Sequence, residues 1–416
     1  MGFLSYISSN VLVAGNAEPV YIMGDFQGDV VAIQNNDQAW RLSVGSQPVT
    51  HLTRIGNAED IDVVAVTVNG EISRIQNGTE LWSRQPVTAQ PLGLAVADIN
   101  RDGQEEIILA LVDLTEFDKL AKTTTSPTPP SFTKLLVLDQ QGNFIGNDGG
   151  EHEIENLSSS PTVGDINGDG YLNIVVRSST HLYVFNYNGS LAEEFPVEVE
   201  GNDGIGWDLL PQPIIADLDN DGKLDILTGT RNGLLKAYNR YGEMLDGFPI
   251  AVGGPVQATP ALGDIDANGT LDLVVAAEDR FVYAWDLEVP ADVDIAWGTY
   301  GHDLQHTFRN ADTAPAPQPT GPGLLVKKSV YNYPNPARGG QTMIHYVVNE
   351  SCTIRVRIYN LAGELVAELG DGAAPIVDNE VIWQLDNVSS GVYMARVEAD
   401  NGTTKEHAFC TIAVIK

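Results

Sequence analysis

No run of 18 apolar residues occurs in the 416-residue chain, so no segment reads as a membrane-spanning helix. Cationic residues are scarce: 23 Lys and Arg stand against 56 Asp and Glu, a net charge of −33. Such a surface repels phosphate backbones and anionic headgroups, which argues against nucleic acid and anionic membranes as partners. There are two cysteines, Cys352 and Cys410, both late in the chain. They make neither a disulfide scaffold nor a CxxC metal site. Two small thiols buried on strands is the simpler reading, and a bridge between them stays open. The first residues, MGFLSYISSNVLVAG, lack a basic region and a clear cleavage site, a poor signal peptide. An export signal is expected elsewhere, or the chain is a piece of something larger. GxSxG, HExxH and P-loop motifs are missing, and the seven histidines are scattered. Acidic residues are abundant enough that a glycosidase-like carboxylate pair is not excluded.

What is present is glycine and proline, 41 and 22 residues, hence many turns and many short strands. The negative charge is uneven. Residues 325–416 carry 8 Lys/Arg and 10 Asp/Glu, which leaves 15 and 46, net −31, for the rest. Two domains with different electrostatic tasks follow.

Four stretches repeat one pattern: DINRDGQEEIIL from Asp98, DINGDGYLNIVV from Asp165, DLDNDGKLDILT from Asp217 and DIDANGTLDLVV from Asp264. Oxygen-bearing side chains stand at positions one, three and five, with Gly at six. They are Asp98, Asn100 and Asp102; Asp165, Asn167 and Asp169; Asp217, Asp219 and Asp221; Asp264, Asp266 and Asn268. Alternating oxygens around a sharp glycine turn are how a loop wraps Ca2+. Position twelve is Leu109, Val176, Thr228 or Val275, so the bidentate acid of a helix-loop-helix calcium site is missing. Position nine must close the shell instead: Glu106, Asn173, Asp225 and Asp272. The position-seven carbonyls, at Gln104, Tyr171, Lys223 and Thr270, add one ligand each. About four Ca2+ ions are expected, in a structural role.

Each loop is preceded by a short apolar run and followed by an apolar strand, a turn and a second strand with aromatics, as in HLYVFNYNG and RFVYAWD. Aligned on position nine, the units sit at 62, 106, 173, 225 and 272, spaced by 44, 67, 52 and 47 residues. Two acid-poor units, from Gly15 and Gly56, come first. Each unit reads as four short strands, and tandem four-stranded units of this length predict a β-propeller with a central channel. The ion would tie a strand-to-strand corner, which is why a strand follows each loop. The 67-residue spacing is due to an insertion, Thr115 to Phe132, between the second and third strands of its unit. WGTYGHDLQHTFRN, after the last unit, contains His302 and His306 but lacks a third zinc ligand, and reads as a closing segment packed on the ring.

On these loops, residues 9–307 resemble the FG-GAP/VCBS repeats of integrin-like propellers. The resemblance implies an all-β fold with six visible four-stranded blades, alone or as part of a seven-bladed ring. After the Pro-rich stretch NADTAPAPQPTGPG the pattern becomes period-two strands, about seven in some 90 residues, a small sandwich. YPNPARG, VRIYNLAGELV and SSGVYMARVEA resemble the Ig-like C-terminal sorting domain of type IX secretion. The expected domains are a propeller over 1–309, a linker over 310–324 and the sorting domain over 325–416. The expected protein is a non-catalytic monomer, extracellular or on the outer-membrane surface of a bacterium. It would bind a protein or glycan on the propeller face and meet the secretion machinery through its tail. The alternatives are the accessory region of a secreted hydrolase such as a subtilisin-like protease, and a propeller polysaccharide lyase.

Overall fold

The computed structural model describes residues 7–14, 19–56, 61–85, 89–113, 132–145, 151–192, 194–200, 210–303, 305–311, 323–333, 335–337, 340–348, 352–373, 379–385 and 388–415. The chain divides into two compact units, Met1–Ala316 and Pro317–Lys416. The insertion predicted within Thr115–Phe132 and most of the predicted linker lie outside the described residues.

Six sheets make up the first unit among the described residues. Sheet one holds β1 (Ile7–Ala14), β2 (Val20–Asp25), β3 (Asp29–Gln34) and β4 (Asp37–Ser43). Sheet two holds β5 (Val49–Arg54), β6 (Asp62–Thr67), β7 (Ile72–Gln76) and β8 (Thr79–Arg84). Sheet three holds β9 (Ala89–Ala97), β10 (Glu106–Asp113), β11 (Phe132–Leu138) and β12 (Glu151–Glu155). Sheet four is β13 (Thr162–Gly164), β14 (Asn173–Arg177), β15 (His181–Phe185) and β16 (Val197–Glu198). Sheet five is β17 (Ile214–Ala216), β18 (Asp225–Gly229), β19 (Leu234–Tyr238) and β20 (Ile250–Ala251). Sheet six is β21 (Ala261–Gly263), β22 (Thr270–Ala276) and β23 (Val282–Pro290). Within each sheet successive strands pair antiparallel, as hairpins require.

The second strand of a sheet is apolar on both sides because both sides meet a neighbour. In β6, Val63 and Ala65 join the core shared with sheet one, while Val64 and Val66 join the core shared with sheet three. β10 divides the same way: Ile107, Leu109 and Leu111 face sheet two, and Ile108 and Ala110 face sheet four. Period-two alternation thus appears as a continuous apolar run. Sheets five and six share a further core around Leu227, Leu235, Leu273 and Val275.

Sheet six differs from the expected four strands. After β23 the chain turns inward, and sheet six has no fourth strand among the described residues. Residues 294–303 and 305–310 instead run past the first strand of every sheet. Trp297 exchanges both backbone hydrogen bonds with Ile215 at 2.9 Å, and Gly298 O accepts from Leu262 N at 3.0 Å. The segment ends as β24 (Arg309–Asn310), a parallel partner of β9 that makes sheet three five-stranded. Side chains and backbone of this segment lie where a central channel was expected, and Trp297 and Phe308 are buried there.

The outward faces of the first and last sheets are less covered. Val13 in β1 and Tyr21 in β2 are 50% and 45% exposed, and Val282 in β23 is 70% exposed. A Cβ on Gly164 in β13 would meet Ile215 and Ala296, whereas one on the corresponding Gly263 in β21 would meet nothing within 4 Å.

The second unit has β25 (Tyr331–Tyr333), β26 (Gln341–Tyr346) and β29 (Asn379–Gln384) in one sheet. The other sheet is β28 (Leu365–Ala373), β27 (Cys352–Asn360), β30 (Gly391–Asp400) and β31 (Lys405–Val414). Ile344 and Trp383 from the first meet Val356, Ile358, Ala395 and Val397 from the second in one core. Cys352 and Cys410 form no disulfide, and burial pushes the Cys410 thiol up to about 12.

Candidate metal centres

The four predicted loops connect β9 to β10, β13 to β14, β17 to β18 and β21 to β22, and they fold alike. At position one, each carboxylate uses both oxygens to receive the N–H groups of positions five and six. Asp217 receives Asp221 N at 3.1 Å and Gly222 N at 2.9 Å; Asp98, Asp165 and Asp264 do the same. Position three (Asn100, Asn167, Asp219, Asp266) also accepts the position-five N–H. Position five (Asp102, Asp169, Asp221, Asn268) accepts the position-seven N–H, from Gln104, Tyr171, Lys223 and Thr270. Position nine reaches back to the N–H of position two: Glu106 to Ile99, Asn173 to Ile166, Asp225 to Leu218 and Asp272 to Ile265, at 2.8–3.0 Å. The glycine at position six is left-handed in all four, with φ between 76° and 91°.

Position four is also left-handed, and the sequence reading missed it. Gly168 and Asn220 take this conformation readily, but Arg101 (φ 58°) and Ala267 (φ 59°) do not. Backbone strain of this kind persists where surrounding contacts over-determine it, commonly at ligand sites.

In the third and fourth loops, carboxylate oxygens of Asp217, Asp219 and Asp225, and of Asp264, Asp266 and Asp272, lie within 4.8 Å of one another. Like charges this close need a cation or a proton. Burial, reinforced by Asp219, Asp221 and Asp217, pushes Asp225 up to about 7. Burial, with Asp102 and Asp98 nearby, pushes Glu106 up to about 9. Asp98, Asp165, Asp169 and Asp219 are raised too, chiefly by burial. An oxygen-only donor set of clustered, desolvated carboxylates fits a hard metal ion.

The loops are not equivalent. The second has neutral Asn167 and Asn173, and arginines from both neighbouring sheets bind its carbonyls: Arg101 Nε donates to Gly170 O at 3.1 Å and Arg240 Nη1 to Asn167 O at 3.3 Å. The fourth gains a carboxylate, Asp286 of β23, which accepts from Thr270 Oγ1 at 2.9 Å and Asn268 Nδ2 at 3.2 Å. Asn186, just after β15, holds the matching place beside Asn173 at 3.1 Å. An Asn or Asp directly after the aromatics of the third strand was the available signal for both.

In acid-poor sheet two, a guanidinium takes up the position-nine carboxylate. Arg74 Nε and Nη2 grip Asp62 at 3.0 and 2.7 Å, and Arg74 Nη1 donates to Gln140 O of the next sheet. Position nine of sheet two thus faces a fixed positive charge, while residues 57–60 of this corner lie outside the described residues. The equivalent corner of sheet one, residues 15–18, lies outside the described residues. His302 and His306 lie apart from the loops, against the Trp297 and Tyr300 rings.

Residues 165–228, spanning the second and third loops, match the FG-GAP-like repeat family, and residues 331–409 match the secretion system C-terminal sorting domain family. No curated protein matches the chain. Among solved structures, BBS1N in complex with ARL6DN is 13% identical, with 71% of this chain and 83% of that one covered, at a TM-score of 0.42. PorZ, an essential bacterial surface component of the type-IX secretion system of Porphyromonas gingivalis, is 14% identical over 98% of this chain and 51% of that one, at 0.33. The V. cholerae biofilm matrix protein Bap1 is 16% identical over 97% and 69%, at 0.36. The sorting domain indicates export to the cell surface or extracellular space and implies contact with the secretion machinery. The chain thus combines an FG-GAP-like repeat region with a type IX secretion C-terminal sorting domain.

Proposed function

We propose that the first unit is a six-bladed, calcium-stabilised propeller that binds a protein or glycan at the cell surface without catalysis. Its domain spans 1–309, a linker follows over 310–324, and an Ig-like sandwich over 325–416 serves export and anchoring. The protein acts as a monomer. The observation that carries this reading is the fourfold recurrence of one oxygen-lined corner, always joining the first two strands of a sheet and each time made from the same set of hydrogen bonds from backbone N–H groups to side-chain oxygens. A catalytic ion would need one privileged site. Four alike in backbone geometry, spread over consecutive sheets, suit cohesion.

Ca2+ would be held by the side chains at positions one, three, five and nine and by the position-seven carbonyl. Calorimetry on chelator-treated protein should find about four calcium sites. Adhesion to immobilised glycans and surface proteins should persist in Asp217→Ala when calcium and temperature keep the variant folded. Absence of calcium uptake refutes the ion's part. Turnover of a polysaccharide or peptide by the purified chain refutes the non-catalytic part.

A further inference from the structure

We infer, on the propeller reading proposed above, that the segment described over residues 294–303 and 305–310 is the latch of the ring, the element that ties its first sheet to its last. Among the described residues, hydrophobic cores join sheets one to two, two to three, three to four to five, and five to six, but none joins six to one. A tandem array with neighbour contacts alone behaves as a line and opens from its ends. The segment supplies the missing link. Gly298 O receives Leu262 N of sheet six, and eight residues later His306 O receives Asn10 Nδ2 of sheet one at 3.1 Å.

It then continues round the remaining sheets. Thr53 Oγ1 of sheet two donates to Thr307 O at 2.7 Å, Val96 N of sheet three to Phe308 O at 2.9 Å, and Asn310 Nδ2 donates to Val163 O of sheet four at 3.4 Å. With Ile215 of sheet five, all six first strands are engaged. Successive carbonyls reach different strands because the backbone turns left-handed at Gly301 (φ 71°), His302 (81°), His306 (51°) and Phe308 (54°). A non-glycine residue held there is strained, so the segment keeps this path only while the strands around it stay in place. Latch and ring therefore stabilise each other, and opening the ring between its first and last sheets requires release of the latch.

The test is hydrogen exchange on the full chain with Gly301→Val, whose Cβ would sit 3.0 Å from His306 Cα and Cβ. The expected result is exchange about tenfold faster, or more, in β1 and β21 together with β17, while β26–β31 stay unchanged. Faster exchange confined to β17 and the segment itself would make it local packing and overturn the latch. If Gly301→Val does not fold, Thr53→Val deletes one hydrogen bond with little change of shape. A smaller, concerted change in β1 and β21 supports the proposal; a change in β5 alone overturns it.

Discussion

Arg74 Nη2 lies 2.7 Å from Asp62 Oδ2, with Asp62 only 2% exposed, at the corner of sheet two that corresponds to the ion loops of the sheets that follow. In this repeat a side chain thus does the electrostatic work that the proposed ion would do in the repeats that follow. Removing one partner of a buried pair leaves an uncompensated charge, at a cost of about 3–5 kcal/mol. Arg74→Met should lower stability by that order in denaturant titrations, by the same amount in millimolar calcium and in EDTA. Rescue by calcium would mean that sheet two also binds the ion.

Asp217→Ala should behave in the opposite way. At about 1 mM calcium and a Kd of ~0.1 mM, one site contributes roughly 1.4 kcal/mol. The variant should melt below wild type in calcium and converge with it in EDTA. Identical melting in calcium, with altered ligand binding, would assign the ion to recognition.

The sites should fill in order. Loops at Asp217 and Asp264, with three carboxylates gathered, should take calcium before the Asp165 loop, which has two neutral amides and two arginines at its carbonyls. Anomalous scattering at limiting calcium should place the strongest peaks there. Arg240→Gln should tighten the Asp165 site; unchanged affinity would remove the arginine from the explanation.

Acid should loosen the first unit through His51. Burial beside Phe308 lowers its pKa from 6.5 to about 4. A folded-state value below the unfolded one gives stability that is complete above pH 6.5 and lost as pH falls towards 4. Stability measured from pH 7 to 4 should fall less steeply in His51→Gln than in wild type. Equal slopes would assign the acid sensitivity to other groups.

Export should depend on the last unit. Deleting residues 325–416 should leave the protein inside the cell envelope and abolish surface labelling of intact cells. Undiminished surface labelling would place the address elsewhere.

The loops were legible because their chemistry is local: Asp217, Asp219, Asp221 and Asp225 lie within nine residues, and the same spacing returns four times. The strands were legible from apolar runs such as Ile107–Leu111. Less legible was anything whose partner is remote in sequence. Nothing near Thr53 announces Thr307, 254 residues away, and WGTYGHDLQHTFRN has no period because its contacts go to six strands in turn. The missing fourth strand of sheet six follows from that same inward path. Arg74 carried no such signal, since only the fold brings its guanidinium onto Asp62, twelve residues earlier.

The parallel pairing of Arg309–Asn310 with β9 has a mechanical consequence. If the last unit anchors the protein as proposed, a pull from the C-terminus reaches the first unit at β24. The tension therefore arrives at sheet three, in the middle of the series, where Arg309 also grips Glu105 at 2.5 Å and Gly56 O at 2.7 Å. Sheet six, although last in sequence, sits upstream of this clamp and is spared the load. In single-molecule pulling from the C-terminus, rupture at β24 should precede any loss of length from β21–β23.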